Sequence, residues 1–101
     1  MEHRFYGESQ PAEDWSSENL KNLNSLQALA DLDFFIKSTD VYLNEKEGSG
    51  TRKWLTIGGS YPGALSAWFK AVYPTTAAAA WSSSGVINAI QDFSDYDLDV
   101  F

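Results

Sequence analysis

Trp54-Leu55-Thr56-Ile57-Gly58-Gly59-Ser60-Tyr61-Pro62-Gly63 decides how this chain is read. Residues 54–57 are large, apolar or β-branched, and predict a short buried strand. The strand runs straight into Gly58-Gly59-Ser60, and a helix is predicted over about residues 62–72. Pro62 suits the first turn of that helix, because its missing N–H would have no helical partner there. Tyr73-Pro74 ends it. With no spacer between strand and helix, the turn must be sharp. Gly58, Gly59 and Gly63 supply small residues where the two elements pass close together.

The alternation continues on both sides. Downstream, residues 76–81 predict a second, closely packed strand, because Ala77 to Ala80 are all small. Residues 82–85, Ser-Ser-Ser-Gly, read as a turn. Val86, Ile87, Ile90, Phe93, Tyr96 and Val100 then recur at spacings of three and four, which predicts one helix or two short ones. Asp92, Asp95, Asp97 and Asp99 fall on its solvated face. Upstream, residues 44–52 read as a surface loop. Before them, Leu26, Leu29, Leu32, Ile36 and Leu43 predict an amphipathic helix over residues 25–38 or slightly beyond. Asn24 with Gln27 three residues later reads as its capping box. Asp33 lies on or near the apolar stripe and calls for a backbone or Arg partner. Residues 1–22 read as a loop. Helix, strand, helix, strand, helix is the order of a parallel α/β sheet.

A serine in a sharp strand-to-helix turn has a chemical use. Its hydroxyl is a weak nucleophile until a base is aimed at it and donors wait for the oxyanion. α/β-Hydrolases meet these needs by lifting the Ser above the sheet on such a turn, with the pattern G-x-S-x-G. Here Pro62 stands at the final Gly position and the Gly is displaced to residue 63. The competing interpretation is an ordinary Gly-rich turn that cradles a phosphate. No Lys follows the glycines as a P-loop requires.

Composition excludes several function classes. At 101 residues, 44% hydrophobic and 15% aromatic, the chain can bury a core and does not read as disordered. A net charge of −7 with no basic cluster argues against a nucleic-acid partner. There is no cysteine and one His, so neither a disulfide framework nor a metal site is expected, and no cofactor is called for. The first residues lack the apolar core of a signal peptide, and no apolar run is long enough to span a bilayer.

Four blocks point further. Glu2-His3-Arg4-Phe5-Tyr6-Gly7-Glu8-Ser9, Gln27-Ala28-Leu29-Ala30-Asp31, the Gly58–Phe69 stretch and Tyr73-Pro74 together resemble the lysosomal Pro-Xaa carboxypeptidase family of serine peptidases. Ser82-Ser83 and the Asp92-Phe93…Tyr96 stretch resemble it too. The resemblance covers nearly the whole chain, with Phe5 where the family has Tyr. It implies an α/β-hydrolase fold, present here as the nucleophile-bearing portion, with residues from about 86 to 101 starting a helical cap insertion. It also implies a serine-type exopeptidase that takes peptide substrates and cleaves beside proline or a small residue near a chain end. Both carboxypeptidases and dipeptidyl peptidases belong to the family. By matching position Ser60 is the nucleophile, the backbone N–H of Tyr61 is one oxyanion donor, and the second comes from the loop near Tyr6 or Gly7.

In this fold the chain order is Ser, then Asp or Glu, then His, so the remaining triad members are expected beyond Phe101. His3 is then a hydrogen-bonded member of a buried Glu2-His3-Arg4 cluster rather than the base. Without those triad members the 101 residues alone are expected to be inactive, and, because the strand that should lead into Glu2 is expected upstream of Met1, to fold poorly. A lysosomal, vacuolar or secreted protein is implied, its signal lying upstream. The alternatives are an esterase or lipase on the same fold, or a truncated, non-catalytic family member.

Overall fold

The structure, a computed structural model, describes residues 1–100. Its elements run α1 (Ser17–Leu20), α2 (Ser25–Glu47), β1 (Leu55–Gly59), α3 (Tyr61–Val72), β2 (Ala79–Ser83) and α4 (Ser94–Val100). The two strands pair in parallel, Leu55 opposite Ala79 through Gly59 opposite Ser83, with α3 as the crossover between them. A small parallel α/β unit is therefore in place, as the alternation predicts.

The core lies where α2 and α3 meet. Leu29 and Ile36 of α2 pack with Phe69 of α3 and Ala77, and Leu32, Trp54, Leu65, Trp68 and Tyr73 close around them. Phe69 has no exposed surface and is the largest side chain buried so completely among the described residues. Leu26 does not join this stripe and is 72% exposed. At 3.6 residues per turn it sits about 100° from the direction shared by Ala28, Leu29, Leu32 and Ile36. The Asn24 side chain caps α2 by accepting the Gln27 N–H at 2.9 Å. The reciprocal half of the box is not made: the Gln27 amide donates instead to Asp31 at 3.2 Å. Asp33 finds neither backbone nor Arg. It takes the Lys37 ammonium and the Thr76 hydroxyl, each at 2.7 Å, and so ties α2 to the segment before β2.

Several boundaries differ from the sequence expectation, each for a local reason. α2 continues through residues 44–47, where Glu and Lys are good helix formers, and stops at Gly48, whose φ of +85° suits glycine. Arg52 returns to Asn44 and Glu47 and holds the following loop against that last turn. β2 starts at Ala79 rather than Thr76, because residues 76–78 are still completing the turn. There the Lys70 ammonium takes the carbonyls of Pro74 and Ala77, and the Ala78 N–H reaches the Trp54 carbonyl at 2.8 Å. Ser82 and Ser83 belong to β2, since they pair with Gly58 and Gly59. The helix expected from Val86 forms only as α4 from Ser94; Asp92, with a φ of +55°, lies outside any right-handed helix just ahead of it. The loop over residues 1–22 contains α1, with the Ser16 hydroxyl as its cap.

Candidate active site

Ser60 is the hinge between β1 and α3. Its backbone has φ +59° and ψ −128°, a combination that L-residues rarely adopt and that costs on the order of 1–3 kcal/mol. The cost is met by fixation on both sides. The Ser60 N–H donates to the Ser83 carbonyl of β2 at 3.0 Å, and its carbonyl accepts from Ala64 in the first turn of α3 at 3.1 Å. Serine at a helix N-cap normally spends its hydroxyl on the helix. Ser60 makes no such bond, and the residue is exposed.

The glycines around it differ in what they do. A Cβ on Gly58 would run into the carbonyl of Pro62, so strand and helix can approach only because that position is bare. A Cβ on Gly63 would lie 2.7 Å from the Ser83 carbonyl oxygen and 3.0 Å from that of Gly58. The displaced glycine of the motif is therefore the one that the close approach needs, and Pro62 is harmless one residue earlier. Gly59 has only an ordinary contact available, 3.9 Å to the Ser83 carbonyl oxygen. Gly85, which sequence reasoning did not single out, packs against the same turn: a Cβ there would meet Ala64 N at 3.1 Å and Gly63 C at 3.2 Å.

The Glu2–Gly7 segment comes to this turn from the other side. Arg4 grips Asp31 of α2 through two hydrogen bonds, 2.6 and 2.7 Å. Those bonds are the main cause that holds the Asp31 carboxyl below its ordinary range, and they raise Arg4. Phe5 is buried beneath the segment with φ +67°, and Gly7 has φ +49°. The Gln10 amide donates to the carbonyls of Phe5 and Gly7 at 3.1 and 3.0 Å. The Tyr6 N–H is committed to the His3 carbonyl at 3.1 Å.

His3 places its ring against Tyr61, the residue after Ser60. Its Nδ1 faces the Arg4 carbonyl at 2.9 Å and its Nε2 faces the Tyr61 hydroxyl at 3.3 Å. Both nitrogens are thus engaged away from the Ser60 hydroxyl. The expected Glu2-His3-Arg4 cluster is only partly present. His3 and Arg4 are half-buried, whereas Glu2 is exposed and accepts the Ser9 N–H at 2.9 Å. The reason is that Arg4 has a better carboxylate in Asp31, already placed by α2. A cleft of about 590 Å³ lies beside this contact, with His3, Tyr6, Leu29, Ile57, Tyr61 and Pro62 among its walls. Ser25 and Asp31 are contributors that sequence reasoning did not assign a role. Asp31 stood in a quoted block, but its partner lies 27 residues away and only the fold brings the two together.

Comparison with known proteins converges on one group. The family model described as serine carboxypeptidase S28 matches residues 1–100. The chain belongs to the serine carboxypeptidase S28 family. This agrees with what the four sequence blocks imply. Among curated relatives, a putative serine protease of Caenorhabditis elegans is 42% identical over 97% of this chain and 17% of its own length. Thymus-specific serine protease of Mus musculus is 38% identical over 96% of the chain and 18% of its own. A probable extracellular serine carboxypeptidase of Arthroderma benhamiae is 42% identical over 95% and 14%. The S28 chain therefore spans less than a fifth of the length of these relatives. No solved structure matches it.

Proposed function

We propose that this chain is the nucleophile-bearing portion of an α/β-hydrolase serine exopeptidase, and that Ser60 forms its acyl-enzyme. The observation that carries the reading is the strained backbone of Ser60, φ +59° and ψ −128°, between a parallel strand and a helix, with the hydroxyl not spent on capping. In the full-length protein the Ser60 hydroxyl attacks a peptide carbonyl while a His from beyond Phe101 takes its proton. The oxyanion is met by the N–H of Tyr61, which helix geometry leaves without an intrahelical partner. The second donor comes from the Glu2–Gly7 segment. Gly7 is favoured over Tyr6, whose N–H already serves the His3 carbonyl. Collapse of the tetrahedral intermediate breaks the C–N bond and releases the amine. Water then hydrolyses the ester and restores Ser60.

Cleavage falls beside proline or a small residue at a peptide end, as the family resemblance implies. The relatives named as serine proteases and carboxypeptidases support a peptide substrate. Residues from about 86 onward begin a helical cap insertion, and the relative named as extracellular favours a secreted or lysosomal protein. In full-length protein, a fluorophosphonate probe should label Ser60. Ser60→Ala should abolish labelling and lower kcat on a Pro-containing fluorogenic peptide by roughly a million-fold. Turnover that survives the substitution rejects the assignment.

A further inference from the structure

The Tyr61 side chain is held at two points by residues far away in sequence. Its hydroxyl lies 3.3 Å from His3 Nε2 and 3.2 Å from the Ser25 hydroxyl in the first turn of α2. The His3 ring also packs against the Tyr61 ring, with centroids 5.9 Å apart, and meets Tyr6 edge-on at 5.0 Å. His3 in turn belongs to a segment fastened to α2 by the Arg4–Asp31 pair. Two separate pieces of the chain, the His3 segment and the start of α2, therefore converge on one phenolic oxygen, and that oxygen belongs to the residue directly after Ser60.

The hydrogen-bond roles form a directed chain. Nδ1 of His3 faces a carbonyl, which can only accept, so Nδ1 carries a proton. With the ring neutral, Nε2 accepts from the Tyr61 hydroxyl, and the Tyr61 oxygen remains free to accept from Ser25. With the ring charged, Nε2 donates to Tyr61 and the Tyr61 hydroxyl turns to donate to Ser25. Both bonds survive in either state, so only their direction changes.

We infer that His3 and Ser25 are positioning residues that act through Tyr61, clamping its side chain so that its backbone N–H is held toward the developing oxyanion. The inference rests on the reading of Ser60 as nucleophile. Tyr61 sits at the first position of α3, where no preceding helical turn steadies the backbone. Its neighbour Ser60 is strained, and a displacement of either would misdirect the donor. Donors of this kind act on the transition state rather than on bound substrate. Loss of the clamp should therefore lower kcat and leave KM nearly unchanged.

The test uses the full-length protein with Tyr61→Phe, His3→Ala, His3→Gln and the double variant Tyr61→Phe with His3→Ala. Exhaustive fluorophosphonate labelling of Ser60 is measured on every sample. Tyr61→Phe removes one oxygen from the clamp and keeps the ring packing, so it should fold. The clamp requires that Tyr61→Phe and His3→Ala each lower kcat about five- to tenfold, the scale of one hydrogen bond, with KM within twofold. The inhibition constant of a peptidyl boronic acid, which forms a tetrahedral adduct on serine, should rise by the same factor. The double variant should be no worse than the poorer single one, because both changes break the same link. His3→Gln, whose amide nitrogen can reach the Nε2 position, should recover most of the lost kcat. Unchanged kcat in Tyr61→Phe with Ser60 fully labelled overturns the clamp and leaves the nucleophile standing. So does a rise in KM at constant kcat. Failure of Ser60 to label in the unmodified protein removes both.

Discussion

At the scale of single residues, ion pairing secures the segment that meets the Ser60 turn, and its pH response has a definite sign. The Arg4 hydrogen bonds lower the Asp31 carboxyl, outweighing the partial burial that raises it. A carboxyl depressed on folding stabilises the fold at pH values above its unfolded pKa of about 3.9, and that contribution is lost as pH falls through the lower folded value. Asp33, lowered chiefly by Lys37, has the same sign. The segment should therefore stay docked between pH 7 and pH 5, the range of an acidic compartment, and loosen only below about pH 4. Limited proteolysis of residues 1–10 in the full-length protein measures this. Cutting should be constant from pH 7 to 5, and fast at both values in Asp31→Asn. Cutting that rises steadily between pH 7 and 5 would show that another group controls the segment.

At the scale of elements, helix α3 is the part on which the rest leans. It joins the two strands, it places Phe69 in the core, and its first turn receives the Ser60 carbonyl. Phe69→Ala should lower stability by about 3–5 kcal/mol, the usual cost of emptying a fully buried aromatic site. The midpoint of urea unfolding reads it, and a change below 1 kcal/mol would mean that the core can close without this ring. The start and end of α3 were legible because Pro62 and Tyr73-Pro74 are local signals, and the Asn24 cap of α2 was legible for the same reason. What could not be read was set by tertiary partners. The start of β2 depends on pairing with β1, not on the composition of residues 76–78. The last turn of α2 persists where Arg52 folds back on it. The strained turn at Ser60 was foreseeable from its glycines. The Arg4–Asp31 grip and the approach of His3 to Tyr61 were not, because contacts between residues 27 and 58 apart leave no periodic trace in a sequence.

At the scale of the whole molecule, these residues form a site but not a self-sufficient enclosure. The Cα radius of gyration is 16.5 Å, against about 13 Å for a compact domain of 100 residues. Both strands of the parallel sheet keep large apolar side chains in solvent: Leu55 is 53%, Ile57 66% and Trp81 62% exposed. Parallel strands are ordinarily covered on both faces, so the 590 Å³ cleft beside β1 and the surface of Trp81 are where the longer protein should pack. A peptidase also needs its base, and His3 is occupied with the Arg4 carbonyl and Tyr61. On the proposed reading, catalysis belongs to the complete protein, with Ser60 as one contributor. Trapping the acyl-enzyme tests this most directly. The full-length protein and isolated residues 1–101 are each mixed with a Pro-containing peptide, quenched in acid during turnover and mapped by mass spectrometry. Ser60 of the full-length protein should carry an acyl group of substrate mass and the isolated piece none; an adduct on another residue overturns the assignment of Ser60, and a piece that acylates itself overturns the need for the complete protein.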